Sequence, residues 1–465
     1  MFFIANVITQ ALVGDIRKKN IVMLSFSLVF FAWAGLRGLF LMLTMTAICW
    51  YGALQISCQT SQPEKKRKLV ITVTLVLLIL GYYKYTGFFL RNVQSLLGFP
   101  EKIPNIVLPI GISFYTFQLL SYVIDVYRGD AEVQKKYWLL LLYASLFHQC
   151  IAGPIVRYRD VNHDILHRKV KMTELSRGIT RFSIGLAKKA VLANGCDELV
   201  TELLKGNGGG LSECSVLALW LVMIAFTLHI YLDFSAYSDM AIGMGLMCGF
   251  HYKENFNYPY TANSVTDFWR RWHISLSTFF RDYVYIPLGG NRCSKNRHIL
   301  NLLAVWALTG MWHGASWNYI LWGLYYFVFL VIEKYRVDTE RISMPLRHIL
   351  TMLIVMFGWV IFKFESISDL GIALKGMFGL NGNAFSATNS KLLFQNNVFF
   401  LLFCILAVTP IGKHIGSILK NLSRQNTTWL HVYNVLDAVF PVILLFLSIM
   451  TLAGLNSHSF LYSQF

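Results

Sequence analysis

The sequence predicts an all-α, polytopic membrane protein with about 10–12 helices, some of them re-entrant or interfacial, in one domain. Three observations lead to this prediction. Of the 465 residues, 55% are hydrophobic and 14% are charged, whereas a soluble domain carries about 25% charged residues. Long apolar runs recur along the whole chain, and clusters of basic residues lie beside them. This combination is not that of a soluble enzyme.

Apolar runs near the length of a membrane span, about 20 residues, occur in every part of the chain. Several are short or interrupted by polar residues. We expect the short ones to be re-entrant, which the bilayer tolerates only where protein or a water-filled cavity covers the backbone. The predicted spans lie near residues 21–36, 38–57, 69–90, 106–126, 137–153, 213–235, 298–313, 315–334, 346–363, 395–411 and 435–455.

The basic residues are placed as in the cytoplasmic loops of membrane proteins. The formal net charge is +17, which by itself would also suit a nucleic-acid-binding protein. However, the clusters at 17–19, 65–68 and 135–136 each lie beside an apolar run, and an excess of Lys and Arg there marks the cytoplasmic side. We therefore predict contact with membrane lipid and no nucleic-acid partner.

Several classes of site are not predicted. The eight cysteines are scattered and form no C-x-x-C pair, so neither a disulfide framework nor a zinc site is expected. There is no P-loop, dinucleotide-binding glycine fingerprint, H-E-x-x-H or G-x-S-x-G motif. The first residues, MFFIANVITQALVGD, have no basic region and no A-x-A site, so they do not resemble a cleaved signal peptide.

The single domain, residues 1–465, can be divided by amino-acid composition into four segments. Residues 1–155 are N-terminal spans with short basic loops, and residues 156–195 are polar and basic, as in surface helices. Residues 213–334 combine apolar runs with many His, Trp, Arg, Asp and Tyr residues. Residues 335–465 again consist mainly of predicted membrane spans. Polar groups at membrane depth are costly and mark functional positions, so we expect the third segment to hold the site.

The stretch LHIYLDFSAYSDMAIGMG, residues 228–245, ends an apolar run. His229, Asp233 and Tyr237 follow the spacing i, i+4, i+8, so a helix would stack them on one face. One interpretation is a hydrogen-bonded polar patch that holds helices together, since buried polar groups usually pair. The other is the lining of a reaction chamber.

The stretch DFWRRWHISLSTFFRDYVYIPLGGNR, residues 267–292, predicts a basic amphipathic helix. On a helical wheel Arg270, His273, Ser277 and Arg281 share one face, and aromatic residues fill the other. Such a helix is suited to lie in the membrane interface. Anchoring does not need His273, however. Arg292 follows a Gly-Gly-Asn turn and again indicates the cytoplasmic side.

The stretch GMWHGASW, residues 310–317, places His313 inside an apolar run, where a lone histidine is more often structural than catalytic. Trp312 and Trp317 flank the imidazole and could wall a pocket. Burial favours the neutral form of imidazole, and a neutral imidazole within reach of a hydroxyl is what general-base acyl transfer requires. The histidine and polar segments nearby in the sequence favour the catalytic interpretation.

Taken in order, YLDFSAYSDMAIG, ENFNYPY, DFWRRWHISLSTFFRDYVYIPLGGNR and GMWHGASW resemble the membrane-bound O-acyltransferase family, in particular its bacterial alginate O-acetyltransferase branch. The segments LPIGISFYTFQ and FHQCIAGPIVR fit as well. The resemblance covers about residues 108–334 and implies a ring of tilted helices around a tunnel. It also implies that His313 is the catalytic residue and that His273 lies close to the reaction path.

The resemblance further implies what the protein does. It would be a multi-pass enzyme of the bacterial cytoplasmic membrane that binds no cofactor or metal. It would take acetyl groups from acetyl-CoA or an acylated carrier protein in the cytoplasm. The acceptor would be an exported or cell-surface polysaccharide, reached directly or through an extracytoplasmic acetyltransferase.

Within this scheme we expect His313 to act as the general base, with an acetyl-histidine intermediate as the alternative. Trp312, Asn318 or backbone amides would stabilise the oxyanion. Arg270, Arg281 and Arg292 would dock the donor, or serve only as positive-inside anchors. Two other functions are weighed: D-alanyl transfer toward teichoic acid, and a polysaccharide or ion-coupled transporter, against which the absence of repeated halves argues.

Overall fold

The computed structural model describes residues 1–98, 103–104, 106–150, 153–206, 208–337 and 341–454, and all regular structure in these ranges is helical. The first half contains α1 (Phe2–Ala11), α2 (Ile16–Ala34), α3 (Leu36–Ser57), α4 (Gln62–Leu97), α5 (Ile112–Arg128), α6 (Tyr137–Ser145), α7 (Tyr158–His167), α8 (Met172–Ala187), α9 (Asn194–Leu204) and α10 (Val216–Met247). The second half contains α11 (Val265–Arg271), α12 (Ile274–Phe280), α13 (Lys295–His313), α14 (Trp317–Tyr335), α15 (Met344–Lys363), α16 (Ile367–Met377), α17 (Thr388–Ala407), α18 (Ile411–Ser423) and α19 (Thr427–Ala453). Lys188–Ala193 and Arg281–Tyr285 are π-helical turns.

Six of the described helices are long and apolar enough to cross a membrane: α3, α4, α10, α15, α17 and α19. They coincide with six predicted spans, although the last predicted span also includes residue 455, which lies outside the described residues. Helices α2, α13 and α14 form where spans were predicted, with 19 residues each, but they are less apolar or more charged. The protein is therefore a multi-pass integral membrane protein.

The prediction of a span over residues 137–153 is wrong. Helix α6 has nine residues, a length of about 14 Å at 1.5 Å per residue, which is too short to cross a bilayer. The chain then turns and packs against the start of α5. A Cβ on Gly111 would lie 2.3 Å from the carbonyl oxygen of Cys150, so only glycine permits this approach. Residues 151 and 152 lie outside the described residues.

Helices α8 and α10 pack with their backbones in close contact. A Cβ on Gly178 would lie 2.7 Å from the carbonyl oxygen of Gly243, and a Cβ on Gly185 would lie 2.7 Å from that of Ala236. Small residues allow such close contact between helices in membranes. The π-helical turn that follows α8 then directs Lys188 toward α10, where its ammonium group lies 2.6 Å from Asp239.

We predict that Gly185→Ala destabilises the protein by about 1–3 kcal/mol, because the new methyl group has to push two packed backbones apart. The matched control is Gly371→Ala in α16, where a Cβ would meet nothing within 4 Å. That substitution should stabilise by about 0.5–1 kcal/mol, since alanine loses less backbone entropy than glycine. Thermal unfolding in detergent measures both, and shifts of the same sign would contradict the close-contact interpretation.

Candidate active site

The hairpin of α13 and α14 carries the motif GMWHGASW. Its glycines let the two helices touch: a Cβ on Gly310 would lie 2.4 Å from the carbonyl oxygen of Tyr319, and one on Gly323 would lie 2.3 Å from a backbone oxygen of α13. Gly314 leaves room for the ring of Tyr319, which would be 2.3 Å from a Cβ at that position. This packing fixes the turn in which His313 is the last residue of α13.

The imidazole of His313 is enclosed by aromatic side chains. The residue is 1% exposed, and the ring centroids of Trp322, Trp312 and Phe362 lie 4.8, 5.1 and 5.4 Å from its own. Aromatic walls keep bulk water away from the imidazole, and electrostatic interactions are stronger where water is excluded.

The segment that contains His273 is not one amphipathic helix, so the prediction that Arg270, His273, Ser277 and Arg281 share one helical face is wrong. Helix α11 ends at Arg271 and α12 begins at Ile274, after a turn at Trp272 and His273. The backbone φ of His273 is 43°, in the left-handed region that L-residues rarely adopt. A helical wheel assumes a continuous helix and therefore misplaces every residue after the break.

A tertiary hydrogen bond explains the break. The backbone N–H of Ile274 donates to the carbonyl of Asn255 at 2.9 Å, which takes the place of a bond within a continuous helix. His273 itself is 1% exposed, and its ring centroid lies 4.6 Å from that of Phe234. Burial lowers the pKa of His273 to about 3, so the imidazole is neutral at physiological pH.

Trp312 brings the two histidines together. Its ring centroid lies 5.1 Å from that of His313 and 5.8 Å from that of His273. Phe114 and Phe117 of α5 pack against the indole at 5.4 and 5.7 Å. Residues from α5, from the α11–α12 turn and from α13 therefore form a single buried cluster that contains both His273 and His313, and the catalytic roles of the two histidines stay predictions.

His229, Asp233 and Tyr237 lie on the continuous helix α10, and all three are buried. The carboxylate of Asp233 lies 2.6 Å from the ammonium group of Lys189, and Nδ1 of His229 lies 3.4 Å from Asp197. These contacts join α10 to the π-helical turn and to α9, so His229 and Asp233 contribute to helix packing. Their role as a chamber lining stays a prediction.

Trp317, the last residue of GMWHGASW, and Asn318, the residue after it, lie in different environments. Asn318 is buried, and its side-chain amide donates to the carbonyl of Phe362 at 3.1 Å. Trp317 is 51% exposed, its indole N–H donates to Asn92 at 2.9 Å, and its ring contacts Phe88. Trp317 therefore packs against α4 at the surface, whereas Trp312 is part of the buried cluster.

A cavity of about 190 Å³ lies beside α12, and both cations and the carboxylates of Asp160, Glu254 and Asp282 line it. Its lining includes Arg157, Arg159, His251, Lys253 and Arg281. Of the three arginines predicted to dock a donor, the structure places only Arg281 in this lining. Arg270 and Arg292 are exposed elsewhere on the surface.

Arg157 is the most buried cation of the cavity, at 7% exposed. Its Nη1 donates to Asp282 at 2.8 Å, while its Nη2 is buried and has no hydrogen-bond partner among the described residues. Although burial raises the pKa of Asp282, hydrogen bonds from Arg281 and Arg157 hold it below its ordinary value. Asp282 is therefore ionised at neutral pH and orients both guanidinium groups. Sequence reasoning missed Arg157, which lies 125 residues from Asp282.

The comparison with known families identifies the fold to which this site belongs. The model of the MBOAT, membrane-bound O-acyltransferase, family matches residues 29–368. The chain belongs to this family. Its activity is therefore that of an O-acyltransferase, and the buried histidine cluster lies within the matched region.

Three relatives of this O-acyltransferase differ in how similar their sequences are to it. The probable alginate O-acetylase AlgI of Azotobacter vinelandii is 37% identical over 403 residues, which cover 85% of this chain and 80% of the relative. The peptidoglycan O-acetyltransferase of Helicobacter pylori is 30% identical, covering 100% of this chain and 94% of the relative. The teichoic acid D-alanyltransferase of Bacillus subtilis is 28% identical and covers 63% of this chain.

The cluster of this O-acyltransferase also includes a cation that sequence reasoning missed. Lys84 of α4 is buried, and its ammonium group donates to Ser113 at 3.1 Å and to the carbonyl of Trp312. It lies 5.6 Å from the centre of the Trp312 ring. No carboxylate lies within ion-pair distance of Lys84 in the described ranges. A lone lysine deep in an apolar span is the signal that could have identified it.

We predict that Lys84→Met lowers the rate of acyl transfer at least tenfold while the protein still inserts, because the buried amine, in its protonated form, stabilises negative charge that develops nearby. The matched control is Tyr85→Phe, which removes a 2.8 Å hydrogen bond to the carbonyl of Met311 without removing a charge. Transfer rates in membranes, normalised to inserted protein, measure both. Equal losses for the two variants would indicate that Lys84 serves only to pack α4 against α13.

Proposed function

We propose that this chain moves acetyl groups from a cytoplasmic donor across the bacterial cytoplasmic membrane, for O-acetylation of an exported or cell-surface polysaccharide. The observation that carries the proposal is the buried cluster of His313, Trp312 and His273 in a multi-pass O-acyltransferase. The alginate and peptidoglycan O-acetyltransferases support acetyl as the acyl group, because they match more of this chain, and at higher identity, than the D-alanyltransferase does.

His313 is the general base of the proposed reaction. Its imidazole takes the proton of the acceptor hydroxyl as the hydroxyl oxygen attacks the thioester carbonyl. The tetrahedral intermediate then expels the thiolate, the carbon–sulfur bond breaks, and the thiolate takes the proton back from the imidazolium. The products are an O-acetyl ester and a free thiol. The side-chain nitrogen of Lys84 and the indole N–H of Trp312, which has no hydrogen-bond partner among the described residues, are the nearby donors that support the oxyanion. The amide N–H of Asn318 is already bonded to the carbonyl of Phe362.

The cavity beside α12 is the proposed entry point of the donor. Coenzyme A and acylated carrier proteins both present their thioester on a phosphopantetheine arm, whose phosphate is attracted to guanidinium groups. Ser275 lines the cavity and directly follows the turn that holds His273, so the cavity adjoins the histidine cluster. This proximity lets the thioester end of the arm point toward the cluster while the phosphate stays among the arginines.

The acceptor side of the reaction is proposed from the relatives alone. The partner is an extracytoplasmic acetyltransferase or the polysaccharide itself. The D-alanyl alternative differs in the acyl group and in its dependence on a carrier protein, so supplying membranes with acetyl-CoA or with an aminoacylated carrier separates the two functions.

We predict that His313→Ala abolishes polysaccharide O-acetylation in cells, because the variant lacks the base while the rest of the fold is retained. The control is His414→Ala, which removes an exposed histidine of α18 and should leave acetylation unchanged. The measurement is the acetyl ester content of the polymer, with abundance and membrane insertion checked in parallel. Normal ester content in cells that carry inserted His313→Ala protein would refute the proposed mechanism.

We predict that Arg281→Ala raises the KM for acetyl-CoA by about tenfold, equivalent to about 1.4 kcal/mol of binding free energy, with little change in kcat. The control is Arg292→Ala, which removes an exposed cation outside the cavity. The increase in KM should shrink at high ionic strength, since salt screens exposed charges. If Arg292→Ala raises KM as much as Arg281→Ala, the donor docks on the basic surface as a whole and not in the cavity.

A further inference from the structure

We propose that Asn255 is a positioning residue that keeps the imidazole of His273 protonated on Nδ1 and leaves Nε2 as its basic nitrogen. Asn255 belongs to the motif ENFNYPY, which the proposed mechanism does not use. It is 1% exposed, and its side chain lies beside the turn between α11 and α12. The inference rests on the proposed function only in the importance it gives to His273.

The orientation of the Asn255 amide is fixed by a backbone group. The backbone N–H of Ser275 can only donate, and it lies 3.1 Å from the atom assigned as Oδ1, so that atom is the oxygen. The opposite end of the amide, Nδ2, donates to the hydroxyl of Ser238 on α10 at 3.2 Å. The two ends of the amide therefore cannot be exchanged without loss of the bond to the backbone.

The same network decides where the proton of the His273 ring lies. Nδ1 is 3.2 Å from Asn255 Oδ1 and 3.3 Å from Ser275 Oγ. The hydroxyl of Ser275 accepts from the backbone N–H of Ile155 at 3.0 Å and donates its own proton to Asn255 Oδ1 at 2.8 Å. Both atoms that face Nδ1 are therefore acceptors, and Nδ1 has to carry the hydrogen.

Asn255 also sets the backbone that carries the ring. Its carbonyl accepts the N–H of Ile274 at 2.9 Å, and the N–H of Asn257 donates to the carbonyl of Arg271 at 2.9 Å. These bonds flank His273 on both sides and hold it at its positive φ. One loop thus fixes both the direction in which the ring projects and the tautomer it adopts.

The tautomer matters because a neutral histidine has one basic nitrogen. A hydrogen bond at one ring nitrogen decides which of the two can accept a proton from a substrate. With Nδ1 bound to the loop, Nε2 is the atom of His273 that can accept a hydrogen bond from a substrate hydroxyl or thiol, while His313 remains the base that takes the proton. Loss of Asn255 would free the ring to rotate and to exchange tautomers.

The direct test is a nitrogen NMR spectrum of full-length protein labelled with ¹⁵N-histidine in detergent, since protonated and unprotonated ring nitrogens have distinct shifts. The His273 signals are assigned as those missing from His273→Gln. We expect the wild-type ring to show a protonated Nδ1 and an unprotonated Nε2. A wild-type ring protonated on Nε2 overturns the inference, even if no Asn255 variant can be prepared. This readout does not depend on acyl transfer.

Kinetics of three variants give a second test. Asn255→Leu should lower kcat by about 10- to 100-fold with a nearly unchanged KM for acetyl-CoA, the size of loss expected when a catalytic group is misplaced. Asn255→Asp keeps the acceptor, so it should retain the Nδ1–H tautomer and more of the rate. The carboxylate of Asp favours the imidazolium form of His273, so the acid limb of the variant's pH–rate profile should move to higher pH. Ser238→Ala is the matched control. It loses only the hydrogen bond from Asn255 Nδ2 and should keep the wild-type rate and pH–rate profile.

The outcomes separate the two proposals. If Asn255→Leu inserts normally and keeps the wild-type spectrum and rate, Asn255 has no positioning role. If Asn255→Leu and Ser238→Ala lose equal activity with an unchanged tautomer, the network serves packing only. If the spectrum is as expected but the wild-type protein transfers no acetyl group from acetyl-CoA or from an acylated carrier, the positioning inference stands and the proposed function fails.

Discussion

The contact of Trp312 with two histidines is the interaction on which the site depends. His273 and His313 come from different parts of the chain, one from a turn between short helices and the other from the end of a long helix. Each reaches the same indole ring, and Lys84 holds the carbonyl of Trp312 from α4. Any movement of α13 relative to α11 and α12 would therefore separate the two imidazoles.

Close helix packing makes this convergence stable. Gly310 and Gly323 bring α13 and α14 to backbone contact, and Gly178, Gly185 and Gly243 do the same for α8 and α10. Within a bilayer there is little hydrophobic driving force between helices, so close packing and polar pairs have to supply the stability. The pair of Lys189 with Asp233 lies in such a contact, where its ions are shielded from lipid.

Much of the site could be predicted from the sequence because its main residues lie in local patterns. His313 stands out as a polar residue in an apolar run, and the spacing of His229, Asp233 and Tyr237 suits the helix that carries them. The break at His273 could not be predicted from periodicity, because bonds from a loop 18 residues away cause it. Arg157 was missed for the same reason, because its partner Asp282 is 125 residues away. Lys84 is visible in the sequence as a lone lysine in an apolar run, but its contact with Trp312 is not.

The left-handed backbone of His273 limits which amino acids can occupy that position. Outside glycine, asparagine, aspartate and histidine adopt such a conformation most often, whereas β-branched side chains rarely do. An alanine at position 273 would lose the imidazole and would adopt the left-handed turn less readily than histidine does, so α11 and α12 would tend to shift. An asparagine would keep the turn and remove only the ring. The backbone angle thus restricts the range of amino acids available to this position as strictly as the chemistry does.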